Sequence, residues 1–289
     1  MNLAWSEEQL KLRGSVMEFA REALDAALPP SEDGQPFSRA VWQACAEFGI
    51  LGLPIPEEFG GTGQDVMTTM LAMEALGVGC RDQGLLFSLH AHMWAVQIPI
   101  LAFGTAEQKR HYLPKLVDGS WIGAHGMSEP DSGTDAFAMR TRAERRGDCY
   151  VLDGSKTFVT NAPAADVFVV FATVNAARGM WGVTAFLIDR DTKGLSIGSP
   201  IHKMGLTTSP MAGSSSTGAR YPRRTGSVAR GKGAPSSTIR WRGSAVASSR
   251  ASWARWSGSS TPVCGTPRRG ASSAKRSAAS SSSRRSLRT

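Results

Sequence analysis

Residues 124–139, AHGMSEPDSGTDAFAM, gather the side chains best suited to holding a polar ligand. Ser128, Ser132 and Thr134 bring hydroxyls and Gly133 a permissive backbone, while Glu129, Pro130 and Asp131 favour a turn. Such a loop can offer several N–H and O–H donors to a ligand rich in heteroatoms. The same residues also suit an ordinary domain-linking turn capped by Ser and Asx side chains, which on these residues alone is the commoner outcome. A second stretch, KTFVTNAP at 156–163, is equally two-sided: Phe158 can stack on a flat ligand or be a plain strand residue. Metal chemistry finds no support. The histidines lack HExxH spacing, and Cys45, Cys80, Cys149 and Cys264 are scattered without a CxxC. No GxGxxG follows a strand, which disfavours a Rossmann dinucleotide site.

Two kinds of structure must position these stretches. In SEEQLKLRGSVMEFAREAL, Ser6 and Gln9 stand at capping-box spacing, and Leu10, Val16, Phe19, Ala20 and Leu24 recur near the helical period. FSRAVWQACAEFGILGL repeats the pattern after Ser38 and stops at Gly52 and Pro54, and TAEQKRHYLPKLV opens with a second box at Thr105 and Gln108. From about residue 140 the period becomes two. CYVLDGSKTFVTNA alternates around an expected Asp153-Gly154 turn, and ADVFVVFATV and WGVTAFLIDRDTKGLSIG are further strand runs. Helices first and strands second predict an α+β chain: an all-helical domain over 1–120 and a small antiparallel β-domain over 121–212.

Charge divides the chain again. Its formal net charge of +9 invites a reading as a nucleic-acid binder. However, residues 1–212 carry 17 Lys or Arg against 24 Asp or Glu, whereas 213–289 carry 16 Lys or Arg and no acid. That second segment has 21 Ser in 77 residues, no Phe and a single Leu, too little apolar surface to offset the entropy of ordering it. It is expected to be a disordered tail. Trp241, Trp253 and Trp256 among its cations could stack bases, but with no helical stripe or RGG repeat, nucleic-acid binding is disfavoured. No run of about 18 apolar residues is evident, so no membrane span is expected. The opening MNLAWSEEQLKLRG is too acidic and polar for a signal peptide, and the scattered cysteines suit reduced thiols in a cytoplasmic protein.

Five stretches in order, LGLPIPEEFGGTG (51–63), FGTAEQKRHYLPKLVDG (103–119), MSEPDSGTD (127–135), KTFVTNAPAADVFVVFA (156–172) and IHKMGLTTSP (201–210), resemble the acyl-CoA dehydrogenase family of flavoenzymes. The resemblance covers residues 1–212 and implies an FAD oxidoreductase that desaturates an acyl thioester of CoA or of an acyl-carrier protein, with the electron acceptor left open. It further implies that His125, Met127, Ser128, Gly133 and Thr134 line one side of the flavin and that Thr134 also nears the acyl thioester. Phe158, Val159 and Thr160 would cover the other side. The family usually has Trp-Ile-Thr at 158–160, Ser at 134, and Tyr or Phe at 125. Its third, four-helix domain, which carries the carboxylate base and most oligomer contacts, is not recognisable here. No catalytic residue is therefore assigned, and the homo-oligomer of the family is expected to be lost. A non-catalytic acyl-CoA-binding paralogue is the alternative.

Codon arithmetic offers a reason for the break at 212. If a base is gained or lost there, each true codon joins the last base of one written codon to the first two of the next. Gly213–Val228 then permits ELVDGCAVPAENRLG, which is similar to the family's segment after KMGLRTSPM. Trp has a single codon, so Trp253-Ala254 forces Gly in the shifted frame and Arg255-Trp256 allows only Leu, Met or Val; both fit the family pattern. The tail is thus expected to be a frameshift product, and the chain as written truncated and inactive.

Overall fold

The computed structural model describes residues 4–25, 37–222 and 227–229. What is expected of 230–289 lies outside the described residues.

Local chemistry starts the helices where expected. The Ser6 Oγ accepts the Gln9 N–H at 3.2 Å and the Gln9 Oε1 accepts the Ser6 N–H at 2.9 Å, opening α1 (Glu7–Phe19). The helix continues through a wider π turn, Ala20–Asp25, burying Val16, Ala20 and Leu24. Leu10, expected on the same face, is left 49% exposed. Ser38 caps α2 (Arg39–Glu47), which stops short of Gly52 because Gly49 turns the chain at φ +93. Asp65 caps α3 (Val66–Gly79), and a second reciprocal box at Thr105 and Gln108 opens α6 (Ala106–Val117).

Between them α4 (Gln83–His92), a π turn (Met93–Gln97) and α5 (Ile98–Phe103) form one unbroken helical stretch. Pro99 supplies no N–H, and the Ile98 N–H reaches back to the Met93 carbonyl, which widens the turn there. This stretch corrects the expectation that no segment reaches spanning length: at 21 residues it is long and apolar enough by composition. Its apolar side chains pack into the core, with Leu85, Leu86, Leu89, Met93, Trp94 and Ile100 all buried.

The turn before α3 is set by a close backbone approach. A methyl carbon on Gly61 would sit 1.9 Å from the Ile55 carbonyl oxygen and 2.5 Å from that of Gly52. Backbone cannot yield as a side chain does, so Gly61→Ala should destabilise the fold by about 1–3 kcal/mol, the usual cost of overpacking. A lower urea midpoint at unchanged slope is the expected reading; an unchanged midpoint would count against this turn geometry.

The β-region is one curled sheet in the order β6-β7-β3-β2-β4-β5-β8, with β1 beside β4. The strands are β1 (Gly123–Gly126), β2 (Arg142–Arg146), β3 (Cys149–Thr160), β4 (Val167–Thr173), β5 (Val183–Asp189), β6 (Leu195–Ile197), β7 (Met211–Pro222) and β8 (Ser227–Ala229). Most neighbours run antiparallel as expected, but β1 is parallel to β4, so the sheet is mixed. β4 explains why its sequence is apolar throughout: Val167, Val169 and Phe171 join the core against the helices, while Phe168, Val170 and Ala172 face the interior of the curl.

Two expectations change here. Asp153-Gly154 is not a turn. β3 runs straight through it as a bulge against β7, with Gly154 at φ +149 and the Asp153 Oδ1 accepting the Gly218 N–H at 2.7 Å. The β2–β3 hairpin turns instead beside Gly147, at φ +59. The sheet also runs past the boundary at 212, since β7 pairs with β3 out to Pro222 and β8 pairs with β5. Backbone pairing makes no demand on side-chain type, and Ser214, Ser216 and Ala219 are small enough to be buried along β7.

Candidate functional site

β1 leads directly into the 127–134 loop, and the second half of β3 lies alongside it. The two are joined by the Thr157 N–H donating to the Ser128 carbonyl at 2.9 Å. The loop closes on itself through Glu129 and Ser132, whose N–H groups donate to each other's carbonyls at 2.8 and 3.2 Å, and the Ser132 Oγ donates to the Asp135 carbonyl at 2.7 Å. Thus the Ser side of the expected turn is present, whereas the Asp131 carboxylate pairs with the Arg140 guanidinium and Asp135 makes no side-chain cap; the turn lies against the strand that carries Phe158.

Below the loop lies a buried charge cluster. The Lys156 Nζ donates to Glu129 Oε1 at 2.7 Å and to the Met127 carbonyl at 3.2 Å. Glu129 Oε1 also accepts the Thr141 N–H at 3.0 Å and the Thr141 hydroxyl at 2.5 Å, and its Oε2 accepts the Arg140 N–H at 2.6 Å. Burial on its own would raise the Glu129 carboxyl, but hydrogen bonds from Lys156, Thr141 and Arg140 together outweigh it and hold the group below the ordinary carboxylate value. Burial pulls the Lys156 ammonium down, against the pull of Glu129 upward.

Behind the loop, polar side chains lock the sheet to the helices. Asn161, at φ +69, donates through Nδ2 to the Ser88 carbonyl at 3.1 Å and the Gly123 carbonyl at 3.2 Å, while its own N–H reaches Pro210 at 2.7 Å. The His92 Nδ1 accepts the Gly123 N–H at 3.0 Å, so its Nε2 carries the proton donated to the Leu116 carbonyl at 2.9 Å. Burial pushes His92 down to about 4, with the bond to Leu116 opposing; His90, also buried, is pushed to about 4 by burial.

The expected site residues divide by where their side chains go. Phe158 is 63% exposed at φ +52, in the irregularity of β3 between Lys156 and Val159. Ser128 is half-buried beside it, and Gly133 and Thr134 are exposed at the far end of the loop. His125 is half-buried with its ring 5.3 Å from that of Phe171. Met127 is buried in the core against the helices and Val159 in the sheet interior, where its backbone pairs with Ala212, so both side chains are spent on packing. Thr160 is buried at 9% exposure. The residues alone did not single out Lys156, Thr141, Asn161 or His92. Lys156 stands among the other polar residues of its strand, Asp153, Ser155 and Thr157, so nothing in the sequence set it apart.

Two family profiles match the chain, "Acyl-CoA dehydrogenase, N-terminal domain" over residues 6–120 and "Acyl-CoA dehydrogenase, middle domain" over 124–216. The L-prolyl-[peptidyl-carrier protein] dehydrogenase of Pseudomonas fluorescens is 39% identical over 211 residues, covering 73% of this chain and 55% of its own. The short-chain-specific acyl-CoA dehydrogenase of Clostridium acetobutylicum is 37% identical over 209 residues, covering 72% and 55%. A solved structure of PigA with FAD and proline superposes with a TM-score of 0.86 at 34% identity, over 89% of this chain and 67% of that one. The chain spans about half the length of the curated relatives it matches.

Proposed function

This chain belongs to the acyl-CoA dehydrogenase family, and on that premise we propose that it carries the helical and β portions of an FAD-dependent oxidoreductase acting on a thioester of CoA or of a carrier protein. The two curated relatives act on both kinds of carrier, prolyl on a peptidyl-carrier protein and acyl on CoA. The observation that carries the reading is the pairing of an exposed aromatic with a donor loop: Phe158 stands out of the sheet directly beside Ser128, tied by the Thr157 to Ser128 bond.

The residues present fit a planar, heteroatom-rich group. Among the described residues the Ser128 hydroxyl has no hydrogen-bond partner, so it can donate outward, and the Phe158 ring offers an open face for stacking. Bound FAD would supply the hydride acceptor for α,β-dehydrogenation. Ser128 and Phe158 would orient it, with His125 and Thr160 at the margins and Gly133-Thr134 reaching toward the thioester. Glu129 is not the proton acceptor: its oxygens already take four hydrogen bonds, from Lys156, Arg140 and Thr141, and its depressed basicity suits a structural anion.

Since the loop and strand furnish only part of a flavin's surroundings, FAD should bind the purified chain weakly, quench its fluorescence on titration, and be lost on gel filtration. Phe158→Ala should weaken the titration about three- to tenfold, the range of an aromatic stacking contact. Stoichiometric flavin surviving gel filtration would contradict the weak binding, and an unchanged titration in Phe158→Ala would remove that residue from the site.

A further inference from the structure

Two buried charged side chains beneath the 127–134 loop have no part in the reading above. Lys156 and Glu129 are 4% and 7% exposed, with their ion pair closed at 2.7 Å. A buried pair contributes little net stability, because removing both charges from water offsets most of their attraction. Its geometry is more informative. Lys156 lies on the strand that carries Phe158, yet its ammonium reaches the Met127 carbonyl and Glu129, both in the segment that carries Ser128. Glu129 in turn accepts from Arg140 and Thr141, so the start of the loop is also tied to the segment that enters β2. The lysine stem has a fitted channel: a Cβ on Gly126 would lie 3.2 Å from Lys156 Cγ.

We propose that Glu129 and Lys156 are positioning residues, whose pairing holds the 127–134 loop at a fixed distance from strand residues 156–160 and so sets the gap between the Ser128 hydroxyl and the Phe158 ring. This role rests on the flavin reading, since the gap matters only if a planar ligand enters it. Neither residue touches the ligand. The direct backbone bond across the seam, from Thr157 to Ser128, reports whether the gap is kept.

The full chain carrying Glu129→Gln with Lys156→Met tests the role. Both charges go and the volumes are nearly kept; the amide oxygen still accepts from Thr141 while the Arg140 N–H loses its acceptor, so the variant should fold but melt below the parent, and the unchanged exchange of Val169 is the control for a global effect. Amide exchange at Thr157, measured without ligand, should accelerate about tenfold or more, and the FAD titration should weaken about tenfold, as expected when a supporting shell is loosened. Exchange at Val169, on β4, should not change. Parental Thr157 protection together with parental FAD affinity overturns the proposal. If the parent itself fails to quench FAD, the flavin reading falls and Thr157 exchange alone decides whether the pair clamps the loop. Should the double variant not fold, Lys156→Arg, which keeps charge and donors, must retain Thr157 protection while Glu129→Gln loses it; equal behaviour of the two overturns the role.

Discussion

The chain as written should give no turnover with any acyl thioester, while a version with its reading frame restored near codon 212 should reduce an artificial electron acceptor and retain flavin. Residues 213–289 contain no Asp or Glu, and Glu129 is committed to Lys156, Arg140 and Thr141. On the frameshift reading the chain as written has no carboxylate over the substrate α-carbon, and a general base is worth about 10²- to 10⁴-fold. Dye reduction with short and long acyl-CoAs and with a prolyl-carrier protein would measure both versions. Turnover by the chain as written, or a restored chain that binds no flavin, defeats the frameshift reading.

Acid should unfold the described domains well before their carboxylates alone would require it. His90 and His92 are buried with folded-state values of about 4 against an ordinary 6.5. A lowered histidine value means that the unfolded chain takes up protons the folded one refuses, so stability is full above pH 6.5 and falls as pH drops from 6.5 toward 4. At pH 5 the loss is about 2 kcal/mol for each histidine, a large part of a typical folding free energy. Glu129, held low by its partners, adds a loss of the same sign at lower pH. Urea midpoints at pH 7.5 and 5.0 should differ sharply at equal slope. Because neither ring nitrogen of His90 has a hydrogen-bond partner among the described residues, His90→Phe should remove about half the difference without weakening the fold at pH 7.5. Equal midpoints at the two pH values would overturn the argument.

What could be read from the sequence was whatever is decided locally. Both capping boxes form because their partners are three residues apart, and the β-branched run at 167–173 is a strand because its composition serves two buried faces. Asp153-Gly154 misled because the same dipeptide suits a turn or a bulge, and the choice is made by β7, some sixty residues away along the chain. Counting apolar runs overlooked the α4–α5 stretch because Ser88, His90, His92 and Gln97 interrupt it; Ser88 and His92 are accommodated by bonds to Ser209, Leu116 and Gly123. The loop at 127–134 was legible as a donor-rich turn, and the family resemblance marked it as a flavin segment. Its anchoring by Lys156 was not legible, since a contact across 27 residues leaves no periodic trace.

Phe158 occupies a left-handed backbone region that a bulky side chain enters at a cost of about 1–2 kcal/mol. Glycine or asparagine there would relax the chain. A library of this protein sorted only for heat resistance would therefore be enriched in variants that have discarded the aromatic ring, and the most thermostable clones would be the wrong ones from which to recover a ligand-binding protein.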